Sequence, residues 1–335
     1  MTWGIIAGIL SFILTLIGIP LFIHFLKQAQ VSGQEMQEEV TQHVKKTGTP
    51  TMGGFIFVTV SVLLSIIVAL FSKFKHTNLN VVILVFVLYA GIGFFDDFLK
   101  VFRHKNEGLK AWQKFSLQVL IGIIAYFILV MGIGFSSIAT INYINLFSIH
   151  LKLSFLFIPF LIFWLVGWSN AINLTDGIDG LAAGSVSISL LTYAIIAYLQ
   201  KASDIFMIII VVLGSLLAFL VFNKKPAMIF MGDMGSLALG AFLASISVVL
   251  HVEWTLLFIG IIYIIETLSS MIQIVYFRAT NGKRIFRMAP FHHHLELGGL
   301  SGRDEGWSEW KIDKVFWLIT AVASLLTLIL YLILK

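Results

Sequence analysis

Two carboxylates stand side by side in GIGFFDDFLK, where Asp96 and Asp97 follow Phe94 and Phe95 at the end of an apolar run. Carboxylates this close repel, so one takes up a proton unless a cation neutralises the pair. Mg²⁺ is the simplest such cation. It prefers carboxylate oxygens, keeps several waters and completes its shell with substrate phosphates. The plain alternative is a solvated helix end, and the pair alone does not decide between the two. Two further segments tip the balance. WSNAINLTDGIDGLAAG carries Asn170, Asn173, Asp176 and Asp179, with Gly177 and Gly180 available for close approach of a ligand to the backbone. NKKPAMIFMGDMGSLALG places Asp233 between glycines, with Ser236 opening the next helix, and helix starts offer free N–H groups to anions. Helix capping explains Asp233 or Ser236 singly. It does not explain three Asp-bearing segments on one membrane face.

Groups suited to phosphate lie nearby in the pattern. KKTGTPTMGG pairs Lys45 and Lys46 with a hydroxyl- and glycine-rich turn. Its lysines either set topology or meet a pyrophosphate. RIFRMAPFHHHLE holds three consecutive histidines. They cannot all face one way, and adjacent histidines do not match structural zinc spacing. A substrate-contacting loop is the expectation, with His giving hydrogen bonds or positive charge to a phosphate or a base. Carboxylates for Mg²⁺, Lys, Arg and His for phosphates, and Asn and Asp for a nucleoside suit phosphoryl transfer from a soluble nucleotide to a lipid acceptor. No Walker-type loop or dinucleotide fingerprint is present, and nucleic acid is not among the expected partners.

The elements that position these groups are membrane helices. The chain is 59% hydrophobic and 12% charged, with a mean hydropathy of +0.99. A soluble protein is about 25% charged. The absence of cysteine excludes disulfides and thiolate metal sites. A bilayer takes roughly 20 apolar helical residues. Ten runs qualify: 3–25, 53–71, 79–95, 115–135, 155–168, 181–199, 205–222, 237–252, 254–277 and 315–334. The first is longer than a signal-peptide core and has no basic residue before it, so a retained helix is expected. The runs do not alternate apolar and polar residues, which argues against a β-barrel. The expected fold is an all-α polytopic membrane protein, residues 1–335 forming one domain.

Charge sets the orientation. The loops 26–52, 96–114, 169–180, 223–236 and 278–314 hold 17 of the 22 Lys and Arg residues. By the positive-inside rule these loops are cytoplasmic and both termini lie outside. Of the 17 acidic residues, 14 lie on the same side. Acidic residues contribute little to topology, so a cytoplasmic active site is the candidate cause. Outside, residues 136–152 are rich in Ile, Thr, Tyr and Phe and read as a small hairpin, with Asn142 and Asn145 as turn residues. Within the ninth run, Glu266, Ser269 and Ser270 interrupt the apolar pattern. They point to a bent span that opens a groove for a lipid tail, or to polar packing between helices.

The blocks KKTGTPTMGG, FFDDFLK, SNAINLTDGIDGLA, FMGDMGSLALG and PFHHHLE resemble the signature blocks of the phospho-MurNAc-pentapeptide translocase family. That family lies within the polyprenyl-phosphate N-acetylhexosamine-1-phosphate transferase superfamily. The blocks run in the family's order across nearly the whole chain. The resemblance implies ten transmembrane helices, a homodimer and Mg²⁺ dependence. It implies a multi-pass plasma-membrane enzyme with its active site on the cytoplasmic face. The reaction implied moves phospho-MurNAc-pentapeptide from UDP-MurNAc-pentapeptide to undecaprenyl phosphate, giving lipid I and UMP. By motif position, Asp96, Asp97 and Asp233 become the catalytic acids, with Asp233 and Asp97 on the metal. Lys100 and Lys114 meet phosphates. Lys46, Thr51, Asn173, Asp176, Gly177, Asp179, Asn223, Phe230, Ser236, Gln273 and His293 line the nucleotide site. Asn170 belongs with these, and His292 with the catalytic groups. Either Lys45 or its neighbour Lys46 reaches in.

Two other functions compete. A sister transferase using UDP-N-acetylglucosamine shares the aspartates, and the TPTMGG and HHH blocks tell against it. A secondary transporter places its polar groups near the membrane midplane, whereas here they cluster in loops. A purely structural membrane protein leaves the acidic clustering without a cause.

Overall fold

The computed structural model describes residues 2–29, 48–71, 77–103, 108–133, 142–147, 149–300 and 306–335. Among the described residues, ten helices are long and apolar enough to cross a membrane. They are α1 (Thr2–Gln28), α2 (Gly54–Phe71), α3 (Thr77–Arg103), α4 (Ala111–Ile133), α5 (Phe157–Thr175), α6 (Leu181–Leu199), α7 (Ser203–Asn223), α8 (Gly232–Val249), α10 (Ile261–Ala279) and α12 (Glu309–Leu334). Two shorter α-helices, α9 (Glu253–Ile259) and α11 (Phe291–Glu296), are also present among the described residues. In lipid every backbone polar group needs an internal partner, which is why the apolar runs close as helices. The chain is an all-α polytopic membrane protein.

Helix α8 is the hub. Its most apolar window is 89% buried, against 22% for α12 and 28% for α1. Ala238, Gly240, Ala241, Ala244 and Ser245 keep its surface narrow, so neighbouring backbones can approach closely. Helices α3 and α5 pack along it, α1 packs along α7, and α6 lies against α7 and α12. Apolar side chains on the outer helices, such as Ile17 and Leu326, face outward, as a lipid-facing surface requires.

Several boundaries differ from the sequence expectation. The third helix does not stop at residue 95 but continues to Arg103. Asp96 and Asp97 therefore sit inside a helix. The fifth continues to Thr175, so Asn170 and Asn173 are helical rather than loop residues. In both cases the polar side chains find protein partners, and nothing forces the helix to end at the edge of the apolar run. The ninth run is two helices, broken at Gly260 and not at Glu266, Ser269 or Ser270, through which α10 runs uninterrupted. The histidine segment is also helical rather than a loop.

The hairpin forms from β1 (Tyr143–Leu146) and β2 (Ile149–Lys152), antiparallel, with Tyr143 opposite Lys152 and Leu146 opposite Ile149. The chain turns after Leu146, where Phe147 adopts a positive φ. Asn142 and Asn145 are not turn residues. Asn145 sits in β1, where its backbone N–H donates to Glu253 (3.3 Å) and its amide donates to the His251 carbonyl (2.8 Å). Phe147 packs on Trp254. These contacts fasten the hairpin to the start of α9. Burial pushes the Glu253 carboxyl up to about 8. The first residues of the expected hairpin, through residue 141, lie outside the described residues.

Orientation is testable because the chain has no cysteine. Asn142 is buried and makes a poor probe, but Ile149 and Asn281 are exposed at opposite ends of the bundle. The basic asymmetry predicts that an impermeant thiol reagent on intact cells labels Ile149→Cys and spares Asn281→Cys. The reverse pattern would invert the topology.

Candidate active site

The site is assembled at the end of the bundle away from the hairpin, where α3, α5 and α8 meet. Asp97 joins two of them. Its Oδ1 accepts the Asp233 N–H (3.1 Å) and its Oδ2 accepts the Met234 N–H (3.0 Å). The first turn of α8 has no side-chain cap of its own. A carboxylate from α3 supplies the cap that helix starts require. The approach is possible because Gly93, one turn earlier on α3, has no side chain. A Cβ there would lie 2.2 Å from the Asp233 carbonyl oxygen.

Asp96, one residue earlier, points elsewhere. Its Oδ1 accepts the Leu109 N–H (2.7 Å), and its Oδ2 lies 2.7 Å from Lys100 Nζ and 3.0 Å from Lys114 Nζ. Both ammonium groups also reach Asp233 Oδ2, at 3.2 and 2.6 Å. Asp233 Oδ1 accepts from the Asn173 amide (2.9 Å), which also donates to Ser236 Oγ (2.9 Å). Oxygens of Asp96, Asp97 and Asp233 lie within 4.8 Å of one another. Asp96 and Asp97 are essentially inaccessible, while Asp233 keeps some exposure. Three carboxylates against two ammonium groups leave a net negative cradle, and hard oxygen donors suit Mg²⁺.

The other sequence candidates are distributed around this cradle. The TPTMGG turn lies against the start of α8: Gly53 N–H donates to the Phe230 carbonyl (2.8 Å), Gly54 N–H to that of Met231 (2.9 Å), and Phe230 N–H to that of Pro50 (2.9 Å). A Cβ on Gly232 would lie 2.5 Å from Asp97 Oδ2 and 3.2 Å from Thr51 Oγ1, so the Thr51 hydroxyl borders the same corner. Lys45 and Lys46 lie outside the described residues. Asn170 turns toward α4, its amide donating to Gln118 Oε1 (3.0 Å) and to the Val166 carbonyl (2.8 Å). Asn223 and Asp179 brace the loops. Asn223 accepts the Gly180 N–H (3.1 Å) and donates to the Ile229 carbonyl (3.0 Å), and Asp179 accepts the Ala227 N–H (3.0 Å). Gln273 holds the Ile285 and Phe286 N–H groups and lines a cleft of about 830 Å³ with Arg278, Arg284 and Leu174.

The three histidines have three different acceptors or donors. His292 is fully buried, with Nδ1 3.0 Å from Glu266 Oε2. His293 Nδ1 lies 2.7 Å from Glu296 Oε2. His294 Nδ1 accepts the Arg287 N–H (3.1 Å). The segment is packed, which corrects the expectation of a loop that supports no core. Gln118, Gly93, Leu109 and Glu296 were not singled out from the sequence. A lone acid in an apolar span is a functional signal, and it did draw attention to Glu266, though not to its partner.

Asp176, at the C-cap of α5, sits in this acidic field. Burial, together with Asp233, Asp97 and Asp179, pushes its carboxyl well above the usual range. Folding therefore favours the protonated form. The native state loses stability as pH rises from the unfolded carboxyl value toward the raised native one. Asp176→Asn removes that penalty. Its melting temperature, measured without divalent cation, should exceed that of the parent near neutral pH, with the difference shrinking toward zero in acid. A difference that grows as pH falls would contradict the assignment.

Comparison with known proteins agrees with this geometry. A model of glycosyl transferase family 4 matches residues 79–251, which include all three acids. The phospho-N-acetylmuramoyl-pentapeptide-transferase of Lactococcus lactis subsp. cremoris (strain MG1363) is 55% identical, over 98% of this chain and 98% of its own. The enzyme of the same name from Streptococcus pneumoniae (strain Hungary19A-6) is 56% identical over 98% and 99% of the two chains, and that of Streptococcus sanguinis (strain SK36) is 55% identical over the same shares. With near-full-length identity of this order to several such enzymes, the chain belongs to glycosyl transferase family 4 and, within it, to the phospho-N-acetylmuramoyl-pentapeptide-transferases.

Proposed function

We propose that the chain transfers phospho-MurNAc-pentapeptide from UDP-MurNAc-pentapeptide to undecaprenyl phosphate, forming lipid I and UMP. The observation that carries the reading is the cradle of Asp96, Asp97 and Asp233 with Lys100 and Lys114, at the membrane end of a full-length relative of these transferases. The sister reaction with UDP-N-acetylglucosamine is the less favoured alternative, because the relatives at this identity carry the muramoyl-pentapeptide name. The basic asymmetry supports a cytoplasmic site in the plasma membrane, and the family resemblance supports a homodimer.

Asp233 and Asp97 would hold Mg²⁺, which supplies charge neutralisation of the pyrophosphate when bound. Lys100 and Lys114 offer phosphate oxygens two ammonium groups at the rim of the cradle. Asn173 orients Asp233. By the family resemblance the Asp176–Gly177 turn lies on the nucleotide side with Thr51, Phe230 and Ser236, and Asn223 serves that side by bracing the Gly180 and Ile229 backbone groups. Apolar helix walls lower the local dielectric and strengthen each of these charge contacts. The polyprenyl tail stays in lipid while its phosphate reaches the cradle.

The bond forms by direct attack of the lipid phosphate on the β-phosphorus of the donor, with UMP leaving. A phosphomonoester has its second pKa at about 6, so much of the acceptor is already a dianion near neutral pH. It needs positioning and neutralisation more than a protein nucleophile. Asp96 is poorly suited to that second role, since its two oxygens are engaged by the Leu109 N–H and by two lysines.

Purified protein with both substrates should release UMP, and should stop on adding EDTA. Asp233→Asn should abolish turnover at ordinary Mg²⁺, because an amide is a poor substitute for a charged ligand. Protein stripped of co-purified lipid should not exchange labelled UMP into UDP-MurNAc-pentapeptide. Lipid-independent exchange that disappears in Asp96→Asn would establish a covalent route instead.

A further inference from the structure

Gln118 is buried in α4, one turn along the helix from Lys114, and the transfer chemistry leaves it without a task. Its orientation follows from its neighbour. The Val166 carbonyl can only accept, so the Asn170 amide turns its NH₂ toward it (2.8 Å). The same Nδ2 then donates to Gln118 Oε1 (3.0 Å). That leaves Gln118 Nε2 buried and, among the described residues, without a hydrogen-bond partner. A buried donor left unpaired costs stability. An apolar side chain of similar length would avoid that cost, so what glutamine adds at this position is its oxygen.

That residue lies where three helices meet. The Gln118 backbone carbonyl accepts the Tyr89 O–H of α3 (3.5 Å), and its side chain is held by Asn170 of α5. The cradle draws on the same three helices. Asp96 and Lys100 stand on α3, Lys114 stands on α4, and Asn173 of α5 holds Asp233. Residues three or four apart on a helix lie on one face. Gln118 and Lys114 therefore share a face of α4, and Asn170 and Asn173 share one of α5. One turn further along α4 the two helices pack closely: a Cβ on Gly122 would lie 3.3 Å from Ile162 Cα. Apolar contact of this kind is not directional, so it gives sliding along the helix axis little resistance. The Gln118–Asn170 hydrogen bond supplies that resistance.

We propose that Gln118 is a positioning residue for the transfer: held by Asn170, it sets the register of α4 against α5 and so keeps Lys114 between Asp96 and Asp233. The proposal rests on reading Lys114 as a group that meets the donor's phosphates. Lys114 Nζ lies 3.0 Å from Asp96 Oδ2 and 2.6 Å from Asp233 Oδ2. A slip of α4 by one residue's rise, about 1.5 Å, changes such distances by as much as separates a charge-assisted hydrogen bond from none. Lys100 is set by α3 instead, four residues from Asp96 on the same helix, so it does not depend on Gln118.

The test uses the full-length protein in detergent, and its first readout needs no ligand. Labelling by an amine-acylating reagent at limiting dose is read by mass spectrometry at Lys100 and Lys114, with the exposed Lys110 as reference. In Gln118→Met, Lys114 should react several-fold faster than in the parent, and Lys100 at the parent rate. A merely structural role, with the whole bundle loosened, would raise both. The second readout is binding in the presence of Mg²⁺. Affinity for UDP should fall about 10-fold, the worth of one charge-assisted hydrogen bond. Uridine, which has no phosphate, should bind parent and variant alike, because Val166 still holds the Asn170 amide. Asn170→Ala removes the same contact from the α5 side and should raise Lys114 reactivity equally, so a Gln118→Met that fails to fold does not remove the test. In the Asn170→Ala background, Gln118→Met should add nothing further. Unchanged Lys114 reactivity, a matching rise at Lys100, additive effects of the two substitutions, or equal losses for UDP and uridine would each overturn the proposal. A parent protein that binds no UDP would overturn the transfer reading alone, because the labelling is read without ligand.

Discussion

The site depends on one joint, the carboxylate of Asp97 closing the start of α8. Two N–H groups that no residue of α8 can satisfy are satisfied from α3. The positive end of the helix dipole faces a negative charge. Successive residues of a helix point about 100° apart, so fixing Asp97 on α8 also fixes where Asp96 must point. It turns to Lys100, one turn along the same helix, and to Lys114. The adjacency of the two aspartates is therefore a division of labour. One acid aligns the helix that carries Asp233. Its neighbour faces the cations that Asp233 shares.

The charge arrangement is a coupled one. Removing one member of a buried ion pair leaves its partner charged and unpaired, at a cost of about 3–5 kcal/mol. Here each lysine contacts two acids and Asp233 contacts two lysines, so loss of one group redistributes the others rather than deleting a single contact. Asn173 and the α8 backbone, being uncharged, hold Asp233 in place throughout.

Much of this was legible in the sequence because the acids, lysines and glycines fall in short blocks. The ten apolar runs gave the helices, and the asymmetry of Lys and Arg gave a side. What the blocks could not give is direction. Asp179 and Asn223 stand in the same strings as Asp176 and Lys225, yet both turn inward to brace backbone groups. Asn170 and Asn173 are nearly one helical turn apart. Asn170 reaches Gln118 on α4 and Asn173 reaches Asp233 on α8. Gly93 was invisible as a site residue because its contribution is the absence of an atom. The end of α3 was misplaced because hydropathy falls at Phe95 while hydrogen bonding does not. The histidine run reads as a loop because its partners, Glu266 and Glu296, are named by packing rather than by spacing.

The location of the cradle follows from the same physics. Midway through a bilayer a helix has no free N–H, and a carboxylate there has little but another side chain to neutralise it. At the end of a helix both restrictions lift together. The first turn of α8 offers N–H groups, and the segment leading into α4 and the first turn of α4 bring the Leu109 N–H and Lys114 to meet Asp96. The most buried helix in the bundle therefore contributes its only charged residue at its first turn. An acceptor anchored in lipid and a donor dissolved in water can share a site only at that level. The tail and the nucleotide need environments that differ across a few ångströms, and the end of α8 is where the fold supplies both.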